Sequence, residues 1–220
     1  MFSPDKSPTT DASLLDRRSV LGTLGWAGLG MLASSAGASA LTTRSGVQAS
    51  PNVSVPTSFQ ASGLPDLPEE WLATQGPLVP AYLRYLNTLN LHSIKPAQVI
   101  ESHAKQKANI WNTLPPKEWW KRMGYTLKVV DRIAKEMNVS QVEVISAYRC
   151  PPYNARCPGA KCGSWHQANV AADVKFPVKA SQVTAMAREL RNLGLFHGGV
   201  GGYWDFTHID ARGVNVDWHG

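Results

Sequence analysis

His166 and Asp173 lie close together in the chain, and a second histidine, His208, follows in a glycine-rich region. These are residue types that zinc favours. A catalytic Zn²⁺ takes three protein ligands from His and Asp/Glu and leaves one position for water. The local text is Ser164-Trp165-His166-Gln167-Ala168-Asn169-Val170-Ala171-Ala172-Asp173, then Asp205-Phe206-Thr207-His208-Ile209-Asp210. Pro158, Gly159 and Gly163 precede the first histidine, and Ala171-Ala172-Asp173-Val174 reads as extended chain. His166 is therefore expected at a loop or strand end, with Asp173 on the strand that follows. Residues two apart in a strand share a face. Phe206, His208 and Asp210 should point one way, and Thr207 and Ile209 the other. The bland alternatives are a surface histidine, a solvated carboxylate, and a His208 bonded within a core polar network.

This text resembles the zinc D-Ala-D-Ala peptidases of the M15 type. Their signature runs Ser-x-His-x-x-Gly-x-Ala-x-Asp, followed by an acid three residues before a second zinc histidine. Asn169 stands where that signature has glycine. The resemblance implies Zn²⁺ held by His166, Asp173 and His208. It also implies a general base at Asp205, an Asp where Glu is commoner and one methylene shorter. Asp210 shares the His208 face and competes, either as the base or as a group that orients a ligand from behind. Arg149 ends the run Ser146-Ala147-Tyr148-Arg149, in a context where such enzymes carry an arginine. Its fork can clamp a carboxylate or steady a developing oxyanion, or it can form a structural salt bridge.

The implied activity is zinc-dependent cleavage of peptidoglycan stem peptides or cross-links, by a D-Ala-D-Ala carboxypeptidase or a murein endopeptidase. Two other readings stand beside it. One is a non-catalytic, zinc-containing wall-binding module of the same fold, which the residues at 169 and 205 favour. The other is a hydrolase of a different amide, since fold does not fix function. Ser164 reads as a structural hydrogen-bonder, and Trp165, Tyr203 and Trp204 as packing or groove-lining aromatics. His92, His103, His197 and His219 have no metal frame around them.

The elements that must position these groups follow from periodicity. Val79, Tyr82, Leu83, Leu86 and Leu89 step at helical spacing over 79–91. A second helix is expected from Pro96, a favoured first-turn residue, to about position 111. A third, over about 117–137, carries Trp120, Met123, Leu127, Val130, Ala134 and Met137 on one apolar face. Strands are expected over 142–148 and 171–176, around His208, and over 214–218. Loop should fill 149–164. A helix over about 182–193, capped by Ser181 and ended by Gly194, separates the second strand from the glycine-rich approach at 198–203. The resulting class is α+β: a small antiparallel sheet with helices packed on it, preceded by a helical N-terminal region.

The 220 residues carry a formal charge of +6, with 17% charged residues and 8 tryptophans, which suits a folded domain with a real core. A mildly basic protein is drawn to anionic polymers. No clustered Lys/Arg stripe or nucleic-acid motif is present, so no nucleic-acid partner is expected. Arg17-Arg18 precedes a weakly apolar, Gly/Ala-rich run and then Ala38-Ser39-Ala40. This pattern reads as a twin-arginine-type signal peptide over 1–40, and the protein is expected to be periplasmic or otherwise exported. The glycines that break the run argue against a stable membrane anchor. Residues 41–66 read as a flexible linker, leaving 67–220 as the catalytic domain with its helical extension. Cys150, Cys157 and Cys162 in an exported chain suggest a loop-stapling disulfide with one thiol over. The rival is a structural zinc shared by Cys157, Cys162 and His166. Oligomeric state leaves no trace in the sequence.

Overall fold

The computed structural model describes residues 66–220. The expected signal peptide and almost all of the expected linker lie outside the described residues. The described residues open with helices α1 (Glu69–Gln75) and α2 (Val79–Asn87), joined by a 3-10 turn at Gly76–Leu78. Helix α3 (Pro96–Glu101) and a hairpin of β1 (Gln106–Lys107) and β2 (Ile110–Trp111) follow. Helix α4 (Trp120–Glu136), β3 (Glu143–Ser146), the single turn α5 (Pro151–Asn154) and β4 (Ala171–Lys175) come next. Helix α6 (Ala180–Asn192), β5 (Gly199–Gly202), β6 (Thr207–Asp210) and β7 (Val216–His219) complete the order. The α+β class holds. The main sheet has five strands in the order β3-β4-β6-β5-β7. It is mixed, because β7 runs parallel to β5.

Three local expectations are corrected. The helix from Pro96 stops at Glu101. Ser102 Oγ and His103 Nδ1 turn back onto the Val99 carbonyl (2.7 and 2.5 Å). Ala108 and Asn109 then take positive φ (44° and 64°), which closes a tight hairpin in place of more helix. Ser181 does not cap α6. Lys179 occupies that position without a side-chain bond, and Ser181 lies in the first turn. The loop after Arg149 contains α5, started by Pro151.

Period two puts Val144, Ala172, Val174, Val200 and Ile209 on one face of the sheet, in the main core with the buried faces of α4 and α6. Trp71, Tyr82, Leu86, Val99 and Ile100 from the N-terminal helices belong to the same core, so this region is part of one domain. Asn112, buried, joins the two parts by hydrogen bonds. Its carbonyl accepts from Trp71 Nε1 (2.7 Å), its Nδ2 donates to the Tyr148 carbonyl (2.8 Å), and its Oδ1 accepts from Cys150 N (2.9 Å). Those bonds fix the backbone on both sides of Arg149. Among the described residues no helix is long and apolar enough to cross a membrane.

Candidate metal centre

The opposite sheet face carries the polar groups. In the β4–β6 register Asp173 sits across from His208, and Ala171 across from Asp210. Both pairs point away from the core, as the alternation required. His166 arrives from the loop before β4. Its carbonyl accepts from Arg149 N (3.2 Å), and its own N–H donates to Ser164 Oγ (3.4 Å). Asn169 closes that loop with φ +58°. This left-handed conformation favours glycine, and Asn tolerates it better than other side chains. Asn169 is fully buried and its Nδ2 donates to the Trp119 carbonyl (2.9 Å), tying the loop to the start of α4. The departure from glycine thus keeps the backbone geometry and adds an anchor.

His166 Nε2, Asp173 Oδ1 and His208 Nδ1 converge. His166 Nε2 lies 3.2 Å from Asp173 Oδ1 and 3.3 Å from His208 Nδ1, and His208 Nδ1 lies 2.8 Å from Asp173 Oδ1. All three residues are buried, and among the described residues they form the one group with metal-ligand spacing. A tetrahedral ion with arms of about 2.0–2.1 Å holds its donors roughly 3.4 Å apart, close to two of these separations.

Each converging group has a second partner behind it. His166 Nδ1 lies 2.6 Å from the Ala147 carbonyl, which places the ring proton there and leaves Nε2 with a lone pair. His208 Nε2 lies 3.0 Å from Asp210 Oδ2, which likewise turns Nδ1 inward. Asp173 Oδ2 accepts from Arg149 Nη2, leaving Oδ1 for the centre. Burial lowers the His166 pKa more than its neighbouring carboxylate raises it, so its ring is neutral at pH 7. A bare nitrogen then faces a carboxylate oxygen at hydrogen-bond distance with no proton of its own to share. A cation satisfies that arrangement, and the donor set fits zinc. Burial opposes ionisation of Asp173. At the low pH where it would titrate, both imidazoles are protonated, and their charges and hydrogen bonds outweigh burial and hold the carboxyl well below its usual range. Burial likewise opposes protonation of His208, but its bonds to Asp173 and Asp210 hold its pKa up.

The other expected site residues separate. Arg149 lines the cavity above the centre. It is engaged with Asp173 Oδ2 and, through Nε, with Ser146 Oγ (2.7 Å), so its salt bridge is part of the site. Its Nη1 makes no hydrogen bond among the described residues. Asp210 does not face the cavity as a base. It is fully buried, and Oδ1 accepts from Gly199 N, Arg212 N and Arg212 Nε, while Oδ2 accepts from His208 Nε2 and Arg212 Nη2. These five donors hold its pKa below the usual range against burial, with Arg212 the strongest. Asp205 is not brought into the cavity either. It lies on the β5–β6 connection, half exposed, with Oδ2 3.7 Å from Lys175 Nζ. Chain direction at the hairpin turn, which strand alternation does not predict before the start of β6, keeps it out of the cavity lining.

The cysteines are unpaired. Cys150 is buried, Cys157 partly buried and Cys162 exposed. Cys157 Sγ rests on the Tyr153 carbonyl (3.5 Å) and Cys150 Sγ on the Trp111 carbonyl (3.8 Å). The expected disulfide is absent, and His166 belongs to the Asp173–His208 group, not to a cysteine site.

The cavity has a volume of about 680 Å³. The loop over 158–166, Tyr203, Phe206, Arg212 and β7 form its walls, and Asp173 is the one acidic side chain lining it among the described residues. Sequence reasoning missed Arg212 and Trp218. The indole of Trp218 packs beside His208 (ring centroids 5.1 Å). It fits because β5 has glycine at 199 and 201, where an added Cβ would collide with it. The Gly-x-Gly alternation of β5 was the available signal, since it calls for a bulky side chain from a neighbouring strand.

A helix-backed mixed sheet that sets a buried, pre-aimed His/Asp/His group in the lining of a cavity is the construction of a hydrolytic metal enzyme. The Peptidase M15 family matches residues 95–210, more than half of the chain and all three converging side chains. The chain belongs to that family, and it is a peptidase by membership. Searches of curated proteins and of solved structures returned no match.

Proposed function

We propose that the protein is a zinc peptidase that cleaves peptidoglycan stem peptides or their cross-links, after export through a twin-arginine-type signal. The observation that carries this reading is the convergence of His166 Nε2, Asp173 Oδ1 and His208 Nδ1, each aimed by a partner on its far side. When bound there, zinc supplies an electrophile for the scissile carbonyl and lowers the pKa of the attacking water. Asp173 and the two imidazoles hold the ion. Arg149 fixes Asp173 through Nη2, and its unbonded Nη1 is available to a substrate carbonyl or carboxylate oxygen. Asp205 is the base in this reading. It must turn from Lys175 toward the cavity to take the water's proton and deliver it to the leaving amine. An exposed pair at 3.7 Å is worth only about 0–1 kcal/mol, so the turn costs little.

The test is digestion of purified muropeptides with the full chain before and after chelation and zinc return. Zinc-dependent release of D-Ala, or of cross-link halves, is the expected result. Intact muropeptides with metal-loaded protein would reject the peptidase substrate while leaving the centre in place. The outward setting of Asp205 favours a second reading, a wall-binding module that keeps its zinc without turnover. Zinc-loaded protein retained on murein sacculi, with no cleavage, would identify it.

A further inference from the structure

Arg212 is the residue of this centre that the proposed chemistry does not use, and its surroundings are specific. Its Nε and Nη2 grip the two oxygens of Asp210 side by side, and its backbone N–H donates to the same carboxylate (3.1 Å). Asp210 in turn accepts from His208 Nε2. The guanidinium also lies between two indoles, 5.1 Å from the ring centre of Trp165 and 5.2 Å from that of Trp218. Trp165 immediately precedes His166 in the chain. Trp218 packs on His208 from β7. One side chain therefore touches both segments that deliver an imidazole, from the cavity wall.

We infer that Arg212 is a positioning residue that clasps the two histidine-bearing segments together, so that both imidazoles are aimed before a metal arrives. This rests on the metal reading above and extends it to a residue outside the ligand set. Two physical effects combine. Asp210 is fully buried, and the paired grip of Arg212 on its two oxygens fixes how the carboxylate sits. Held that way, Oδ2 faces His208 Nε2 at 3.0 Å and sets the ring so that Nδ1 turns inward. The planar guanidinium also stacks on aromatic faces and forks onto a carboxylate at once, which a lysine amine cannot do. The stack limits how far the 158–166 loop, with His166 at its end, can move from β6.

The test measures zinc affinity of the folded full chain by competition with a chromophoric chelator. Arg212→Met should weaken zinc binding by about 10–100-fold, the usual loss when a partner behind a metal ligand is removed. Arg212→Lys should recover only part of it. Trp165→Leu, at the cavity rim, leaves the Asp210 pairing intact. It should weaken binding by a smaller factor. Asp210→Asn combined with Arg212→Met should be little worse than the stronger single change, because both act through His208.

Arg212→Met with wild-type zinc affinity would overturn the inference and leave the peptidase reading untouched. If that variant does not fold, unchanged zinc affinity in Trp165→Leu would do the same. Wild-type protein that fails to bind zinc would overturn both.

Discussion

Gly201→Ala tests how the sheet shapes the centre. Gly201 sits across from His208 on β6 and beside Trp218 on β7. A Cβ there would lie 2.6 Å from Cζ2 of the Trp218 indole, and closer still to Cε2 and Nε1. Ordinary carbon contacts are about 3.5–4.0 Å, so the indole must move by roughly 1 Å. Overfilling a packed site costs about 1–3 kcal/mol. The φ of Gly201 is not positive, so alanine brings no backbone strain and restricts the unfolded chain, a gain of about 0.5–1 kcal/mol. The balance is a loss of about 1–2 kcal/mol, read by urea denaturation. Because the indole packs on the His208 ring, zinc affinity should fall with it, by about tenfold or more. The control is the same change in a Trp218→Ala background, where the collision is gone and Gly201→Ala should be neutral or stabilising. Equal cost in both backgrounds would refute the reasoning, since the penalty would then have nothing to do with Trp218.

Asn169→Gly should cost only about 1 kcal/mol for the lost bond to Trp119, whereas Asn169→Ala should cost about 2 kcal/mol, because alanine also meets the left-handed backbone; denaturant midpoints decide between them. Burial lowers the His103 pKa to about 4, so the unfolded chain takes up a proton that the folded chain refuses. Stability from this group is present above the ordinary value of 6.5 and is lost as pH falls from there to about 4, by roughly 3 kcal/mol. His103→Phe should flatten that part of the stability–pH curve. Asp205→Asn should lower kcat by about 10²–10⁴-fold with zinc retained, while Asp210→Asn should weaken zinc by about 10–100-fold; the reverse pattern would exchange their roles.

The three converging residues were legible because of where they lie: a loop histidine, then two strand positions whose faces follow from alternation. Asp210 sharing the face of His208 was legible for the same reason. What Asp210 does there was not, because its partner Arg212 lies beyond the end of β6, where no period applies. The outward setting of Asp205 was not legible either, because it lies at a turn whose direction depends on tertiary contacts. The long helices α4 and α6 were visible through their apolar stripes. The stop after Glu101 was not, because it comes from side chains returning to one carbonyl and from two positive-φ residues, neither of which disturbs the hydrophobic pattern. Trp218 was counted only as part of a short strand, since its role exists only opposite the glycines of β5.

The most direct test is anomalous diffraction at the zinc edge from crystals of the purified, zinc-loaded protein. The account predicts one ion about 2.0–2.2 Å from His166 Nε2, Asp173 Oδ1 and His208 Nδ1, with the far nitrogens still on Ala147 and Asp210. An ion held instead by Cys157 and Cys162, or one that persists at the centre in His166→Ala with unchanged affinity, would contradict it.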